Sequence, residues 1–177
     1  PGRAHLWLVD SNLDWGQEMP GLATWLQQHR RESEPIYLDC FGVERPEVYG
    51  VVGMPLGRPT DDGRSQQLQP GLFCISATSL MSVYDDPVGP WCEKFERAYW
   101  SLRHTPADRF NPETASVLSQ LQAARLKAFL RKRSPTATIA GAILIFRLSA
   151  DDLATALNGS PAELEPQSWI ELESLKQ

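Results

Sequence analysis

The clearest fold signal lies in residues 5–41, which read HLWLVDSNLDWGQEMPGLATWLQQHRRESEPIYLDCF. The apolar runs at the two ends of this stretch stop at polar or glycine residues, as buried strands do. Between them, residues 17–31 repeat apolar side chains at helical spacing, which predicts a helix with Pro20 in its first turn. Asp14 is the predicted N-cap. Strand, helix and strand in this order predict a βαβ unit with a right-handed crossover.

The rest of the chain alternates between the same two kinds of element. The predicted elements are a helical turn at 46–50, a strand at 71–76, helices at 91–102, 112–133 and 151–157, and a strand at 136–148. Asn111 is the predicted N-cap of the longest helix, with Pro112 at its first position. Ala140, Gly141 and Ala142 fall inside the last strand, as small residues that would let another backbone pack closely.

This order of elements predicts an α/β fold of three layers, in which flanking helices cover a mostly parallel, Rossmann-like sheet. The length of 177 residues suits one domain that comprises residues 1–177. The segment 53–71 is rich in glycine and proline, and we expect it to form an exposed loop. Residues 149–177 are expected to form a tail docked on the domain.

Composition and charge exclude several classes of protein. The net charge of −5 argues against nucleic-acid binding through a basic footprint. The longest apolar run, residues 139–146, is far shorter than the roughly 20 residues of a membrane-spanning helix. The basic residues Lys127, Arg131, Lys132 and Arg133 are predicted to form a solvated face that complements a helix dipole. No G-x-G-x-x-G or P-loop motif is present, so we expect no nucleotide cofactor.

The three cysteines are Cys40, Cys74 and Cys92, and none has the C-x-x-C spacing of a zinc or thioredoxin-type site. Cys40 and Cys74 lie in apolar runs, which favours small buried side chains. A disulfide between these two in neighbouring strands is the alternative, and it would require an oxidising compartment.

The strongest candidate site is the acidic loop, residues 10–17, between the first strand and the first helix. In α/β sheets, ligands bind just past the carboxyl ends of strands, which is where this loop is predicted to lie. Its candidate binding residues are Asp10, Asn12, Asp14, Trp15 and Gln17.

Three interpretations of the acidic loop stay open. The D-x-N-x-D spacing of Asp10, Asn12 and Asp14 matches the start of a calcium-binding loop. The rest of that loop does not match, because Trp15 replaces its glycine and Gly21 replaces its glutamate. No metal is therefore expected. Carboxylates and amides beside a tryptophan suit a sugar, which needs hydrogen bonds to its hydroxyls and a flat apolar face for stacking. The third interpretation is structural, because the same side chains can cap the helix and bond the N–H groups of the turn.

Hydrolysis would need a second carboxylate near the acidic loop. Asp39 in the second strand could pair with Asp10 or Asp14 for acid–base chemistry, and its place in the strand indicates that it faces a partner rather than solvent. No G-x-S-x-G elbow for a nucleophilic serine is present. A free-standing hydrolase using Asp10, Asp14 and Asp39 is therefore one alternative function, and a protein-interaction module is another.

A family resemblance begins at the acidic loop. Residues 8–17, LVDSNLDWGQ, followed by a helix, resemble a segment in the C-terminal part of certain bacterial multi-pass membrane proteins. Those proteins are similar to the dolichyl-phosphate-mannose–protein mannosyltransferase superfamily, the lipid-carrier-dependent glycosyltransferases. Further matches follow in the same order: IYLDCFG at 36–42 with PEVYG at 46–50, PGLFCISA at 70–77, and SP at 134–135 with IAGAILIF at 139–146. The resemblance spans residues 6–148 with gaps.

The resemblance implies that the chain is the soluble C-terminal domain of a larger membrane protein, at the extracytoplasmic face. The family's catalytic acidic residue lies in a loop between early membrane helices, so we expect this domain to carry no catalytic residue and no cofactor. The implied partners are the membrane portion of the same polypeptide and a glycan or lipid-linked sugar. The implied function is to assist glycan or acceptor binding, through the acidic loop and Tyr49.

Overall fold

The computed structural model describes residues 17–42, 45–82, 87, 90–106 and 109–164. Within these ranges the strands are β1 (Ile36–Asp39), β2 (Met54–Pro55), β3 (Gly71–Ser76), β4 (Ala137–Ile139) and β5 (Ile143–Leu148). The helices are α1 (Met19–His29), α2 (Ala77–Leu80), α3 (Glu93–Arg103), α4 (Pro112–Leu130) and α5 (Ala150–Asn158). Short 3-10 helices occupy Pro46–Tyr49 and Pro161–Glu163.

The strands form one open mixed sheet in the order β2-β1-β3-β5-β4. β1 runs parallel to β2 and β3, whereas β5 runs antiparallel to β3 and β4. Among the described strands, β5 is therefore the one that opposes the others. The predicted α/β class with flanking helices is confirmed. The predicted strand at 5–10, with its crossover, lies outside the described residues.

Both faces of the sheet are covered, because successive side chains of a strand point to opposite faces. In β3, Leu72 and Cys74 pack in one core with Leu22 of α1. Phe73 and Ile75 pack in the other core, with α3, α4 and α5. Every residue of β3 is buried, which explains why the strand reads as a continuous apolar run rather than an alternating one.

One buried cation joins the three helices of the second core. Arg125 of α4 has no exposed side-chain surface, and its Nη2 and Nε lie 2.9 and 3.0 Å from the carboxylate oxygens of Glu96 in α3. The same guanidinium donates to the carbonyls of Ala156 and Gly159, in and just after α5. All three helices thus meet on Arg125, and its charge is matched inside the core.

Glu96 is equally well satisfied. Besides Arg125, it accepts hydrogen bonds of 2.7 Å from the indole N–H groups of Trp91 and Trp100. Burial alone would raise the pKa of Glu96, but the bonds from Arg125 and the two indoles outweigh it and hold the pKa below the usual value. The folded state therefore favours the ionised carboxylate.

The first helix begins later than predicted. Glu18 is the N-cap of α1 and makes no side-chain capping bond, so the prediction of Asp14 as N-cap is wrong. Pro20 does lie in the first turn, where its missing N–H costs no intrahelical hydrogen bond. The prediction for α4 is confirmed, since Asn111 Oδ1 accepts the N–H of Thr114 at 2.9 Å and Pro112 comes first.

The strand predicted over 136–148 is instead a hairpin of β4 and β5. Ala140 and Gly141 have positive φ angles of 47° and 79°, and the N–H of Ala142 bonds to the carbonyl of Ile139 at 2.9 Å. These two φ angles are those of a type I′ turn, which matches the twist of a hairpin. The idea that another backbone packs closely here is wrong for Gly141, because no atom lies within 4 Å of a Cβ placed on it. It holds for Ala142, whose carbonyl accepts the N–H of Ala77 at 2.8 Å.

The basic residues at the end of α4 do not form one solvated face. Lys127 is buried, and Arg131 is half-buried with bonds to the Leu80 carbonyl and Ser82 Oγ. Only Lys132 and Arg133 of this group are exposed, as predicted.

The predicted loop at 53–71 contains β2 and one buried apolar side chain, and the predicted tail at 149–177 begins with α5. No helix in the described ranges has the length and hydropathy to cross a membrane.

We expect Gly141→Ala to lower the free energy of unfolding by about 1–2 kcal/mol, because only a left-handed backbone conformation fits the turn. The added methyl group meets no neighbour, so the change isolates the backbone effect. Ala140→Asn should raise the melting temperature, because asparagine tolerates positive φ. If Gly141→Ala and the wild type are equally stable to urea, the result would contradict the positive φ angle of Gly141 in the turn.

We expect Glu96→Gln to destabilise the protein by about 3 kcal/mol at pH 7, because it leaves Arg125 buried without a counter-charge. The folded pKa of Glu96 lies below its usual 4.5, so its contribution is complete above pH 4.5 and is lost as the pH falls through the folded pKa. Urea unfolding between pH 7 and pH 3 should therefore show a weaker acid dependence in Glu96→Gln. Glu93→Gln, on the exposed side of the same helix, is the control and should shift stability by about 0.5 kcal/mol or less.

Candidate functional site

A polar cavity of about 230 Å³ lies beside the carboxyl end of β1. Its walls come from β1, the first residue of α1, the Pro46–Tyr49 helix and the segment around β2. The charged side chains among its walls are Asp39, Glu47 and Arg58. Open α/β sheets bind ligands at this end of their strands, so the cavity is the candidate functional site.

Asp39 is held in place by a buried lysine. Lys127 Nζ lies 3.0 Å from Asp39 Oδ2, and the two side chains are 4% and 18% exposed. Among the described residues, no hydrogen bond reaches Asp39 Oδ1. The ion pair therefore holds the Asp39 side chain at the wall of the cavity, with Oδ1 not engaged by any described donor. The prediction that Asp39 faces a partner rather than solvent is confirmed.

The charges of the described side chains at the cavity balance. Lys127 neutralises Asp39 at one wall, while Glu47 and Arg58 supply one charge of each sign. Within the described ranges, neither Glu47 nor Arg58 forms an ion pair. A cavity with acceptors, a guanidinium donor and no net charge suits an uncharged ligand that both donates and accepts hydrogen bonds.

The structure places only part of the predicted binding set. The acidic-loop residues Asp10, Asn12, Asp14 and Trp15 lie outside the described residues. Gln17 is exposed in the turn before α1, two residues ahead of Met19, which lines the cavity.

Tyr49 occupies the end of the 3-10 helix whose Pro46 and Glu47 line the cavity. Its ring is 44% exposed and does not form a wall. The structure therefore puts Tyr49 close in sequence to the cavity rather than inside it.

Sequence reasoning missed Lys127, Glu47 and Arg58. A signal existed for Lys127, because it falls between Leu126 and Ala128 in the apolar part of α4 while Asp39 stands in a buried strand. Two opposite charges in two buried elements are candidates for a buried pair. Glu47 and Arg58 lie in segments without periodicity, and nothing in the sequence marks them.

No disulfide joins Cys40 and Cys74 in this structure. Cys40 Sγ lies 3.8 Å from the carbonyl oxygen of Cys74. Burial raises the pKa of Cys74 to about 12, which makes it an inert core residue. Among the described residues, no cluster of three or more His, Cys, Asp or Glu side chains could hold a metal ion.

Fold and site together define an α/β protein with a small, charge-balanced cavity at the carboxyl end of its first described strand. No family model, curated protein or solved structure matches the chain.

We expect Lys127→Met to lower the free energy of unfolding by about 3 kcal/mol, because it leaves the carboxylate of Asp39 without its partner. Asp39→Asn combined with Lys127→Met should recover part of that loss, since neither charge then remains alone. Urea unfolding of the two single variants and the double variant measures the coupling. Lys132→Met, at an exposed position just beyond the end of α4, is the control and should change stability by about 0.5 kcal/mol or less. If the losses in unfolding free energy of the two single variants add up to the loss in the double variant, the result would contradict the ion pair.

Proposed function

We propose that the chain is a non-catalytic domain of a glycosyltransferase-like membrane protein, which assists glycan or acceptor binding at its extracytoplasmic face. The observation that carries this proposal is the cavity at the carboxyl end of β1, where Lys127 fixes Asp39 as a hydrogen-bond acceptor. The segments whose sequence resembles the glycosyltransferase superfamily include β1, the Pro46–Tyr49 helix and β3. Two of these three, β1 and the helix, line the cavity.

The chemistry of the cavity favours a sugar hydroxyl over a charged ligand. Asp39 and Glu47 are acceptors, Arg58 is a donor, and the local charge sums to zero when Lys127 is counted. Vicinal hydroxyl groups donate and accept at once, so they satisfy both kinds of partner. The volume of about 230 Å³ is below the roughly 300–1,000 Å³ typical of drug-sized ligand sites, which favours one sugar ring of a longer glycan.

An exposed apolar surface beside the cavity supports the proposed contact with the membrane portion of the same polypeptide. Val48, Tyr49, Val52 and Met54 lie within seven residues of one another, and each is at least 40% exposed. Exposed apolar patches mark sites of contact with other molecules. Pairing with an added strand is disfavoured here, because β2 is a short edge strand and contains Pro55.

We also propose that the complete sheet is mostly parallel and Rossmann-like. The support is that β1 lies parallel to both of its neighbours and that α1, which precedes it, covers one face. A strand at 5–10 joined to β1 through α1 would extend this arrangement by a right-handed crossover.

The test is titration of the full chain with D-mannose, followed by nuclear magnetic resonance of backbone amides. We expect shifts in the residues around the cavity and about tenfold weaker binding in both Glu47→Ala and Arg58→Ala, since each loses a hydrogen bond to a charged group. These exposed or half-exposed side chains make no described ion pair, so the fold should persist.

The matched controls are Glu93→Ala and Arg97→Ala, which remove the same two kinds of charge from an exposed face of α3. They should bind mannose as the wild type does. Binding that is absent in the wild type, or equally weakened by the control variants, would refute glycan binding at this cavity. Recovery of the native protein from a soluble cell fraction alone would refute the membrane link separately.

A further inference from the structure

A second, larger cavity lies on the helical side of the molecule. This cavity, the helical groove, has a volume of about 1060 Å³ and is bounded by residues 62–68, the end of α3, the start of α4 and the end of α5. It shares no wall residue with the cavity at β1. Its walls are rich in side-chain amides, among them Gln66, Gln67 and Gln122.

One acceptor of the helical groove is buried without a partner. Within the described ranges, Gln66 Oε1 makes no hydrogen bond, although the backbone carbonyl of the same residue accepts the Gln122 Nε2 group at 3.1 Å. A buried acceptor without a donor costs about 1–3 kcal/mol, so the site gains when a ligand supplies a hydroxyl or N–H group.

A preorganised cation lies at the end of α3 in the same groove. The Nη1 group of Arg103 donates to Tyr99 Oη and to the Leu157 carbonyl, both at 3.0 Å. The guanidinium carbon also lies 5.4 Å from the Tyr99 ring centroid and 5.1 Å from that of Trp100. In the part of the chain that the structure describes, Nε and Nη2 have no partner and no carboxylate pairs with Arg103.

The charge of the helical groove differs from that of the first cavity. Asp62 and Arg64 lie 3.3 Å apart and cancel one another, so the charge of Arg103 is unmatched among the described residues of the groove. An arginine whose Nε and Nη2 groups are both open binds a carboxylate or phosphate oxygen pair in a two-pronged geometry along that edge. Stacking on the rings and anchoring through Nη1 reduce the entropy that such binding would cost.

Together, the unmatched guanidinium and the unpaired amide oxygen select a ligand class. We propose that the helical groove binds a hydroxylated anion, such as a sugar acid or a sugar phosphate. Its oxyanion lies on Arg103 and one hydroxyl donates to Gln66 Oε1. A peptide strand fits less well, because no strand of the described sheet lines the groove and could pair with it.

The test is calorimetric titration of the full chain with D-glucuronate, D-glucose 6-phosphate and neutral D-glucose. We expect at least one of the two anions to bind about tenfold or more tightly than glucose, because a hydrogen bond to a charged group is worth that much. The two anions distinguish a carboxylate from a phosphate preference. The proposal would be overturned if neither anion binds more tightly than glucose. It would also be overturned if tri-glutamate binds more tightly than both anions.

Two variants locate the anion and the hydroxyl. Arg103→Lys keeps the charge but loses the two-pronged edge, and Gln66→Met removes the acceptor while it retains the backbone bond from Gln122. Each should weaken binding of the preferred anion by about tenfold. Gln66→Met touches none of the bonds that Arg103 makes to α5, so it tests the groove even where Arg103→Lys loosens the helices.

Arg97→Lys is the matched control, because Arg97 lies on the same helix, is exposed and pairs with Glu93. It should leave anion binding unchanged. Equal weakening in Arg97→Lys and Arg103→Lys, or unchanged binding in Gln66→Met, would overturn the assignment. Arg58→Ala should also bind the anion normally, so the outcome is independent of the cavity at β1.

Discussion

The buried guanidinium of Arg125 is the constraint on which the helical layer depends. It takes a full positive charge into the core, where such a charge is unstable unless it is paired and hydrogen-bonded. Glu96 supplies the counter-charge and accepts two N–H groups, and the carbonyls of Ala156 and Gly159 accept one more each. The relative positions of α3, α4 and α5 are therefore specified by directional bonds as well as by apolar packing.

The candidate site depends on the same helix. Lys127 follows Arg125 by two residues, which is about 200° around an α-helix, so the two cations point to nearly opposite sides. Arg125 meets α3 and α5, while Lys127 meets Asp39 at the end of β1. The helix that organises the helical layer thus also fixes the acceptor in the cavity. A displacement of α4 would disturb the core and the site together.

The two cavities differ in the way that charge is distributed around them. The cavity at β1 is small and its charges cancel, whereas the helical groove is larger and retains the charge of Arg103. The difference arises from the positions of the acidic partners. Asp39 is paired with Lys127 at the first cavity, where Glu47 and Arg58 add one charge of each sign. The described carboxylate that lines the helical groove, Asp62, is paired with Arg64 instead of Arg103. Ligands of different net charge therefore suit the two places.

Several elements follow from signals that are local in the amino-acid sequence. The strand β3, the Asn111 cap of α4 and the position of Pro20 follow from periodicity and capping chemistry, which act within a few residues. The turn at Ala140 and Gly141 was misread, because small residues suit a close-packed strand as well as a turn with positive φ. The folded chain alone reveals the reversal of β5, the pairing of Asp39 with Lys127, 88 residues apart, and the walls of both cavities. These features depend on which distant segments meet, and no local pattern carries that information.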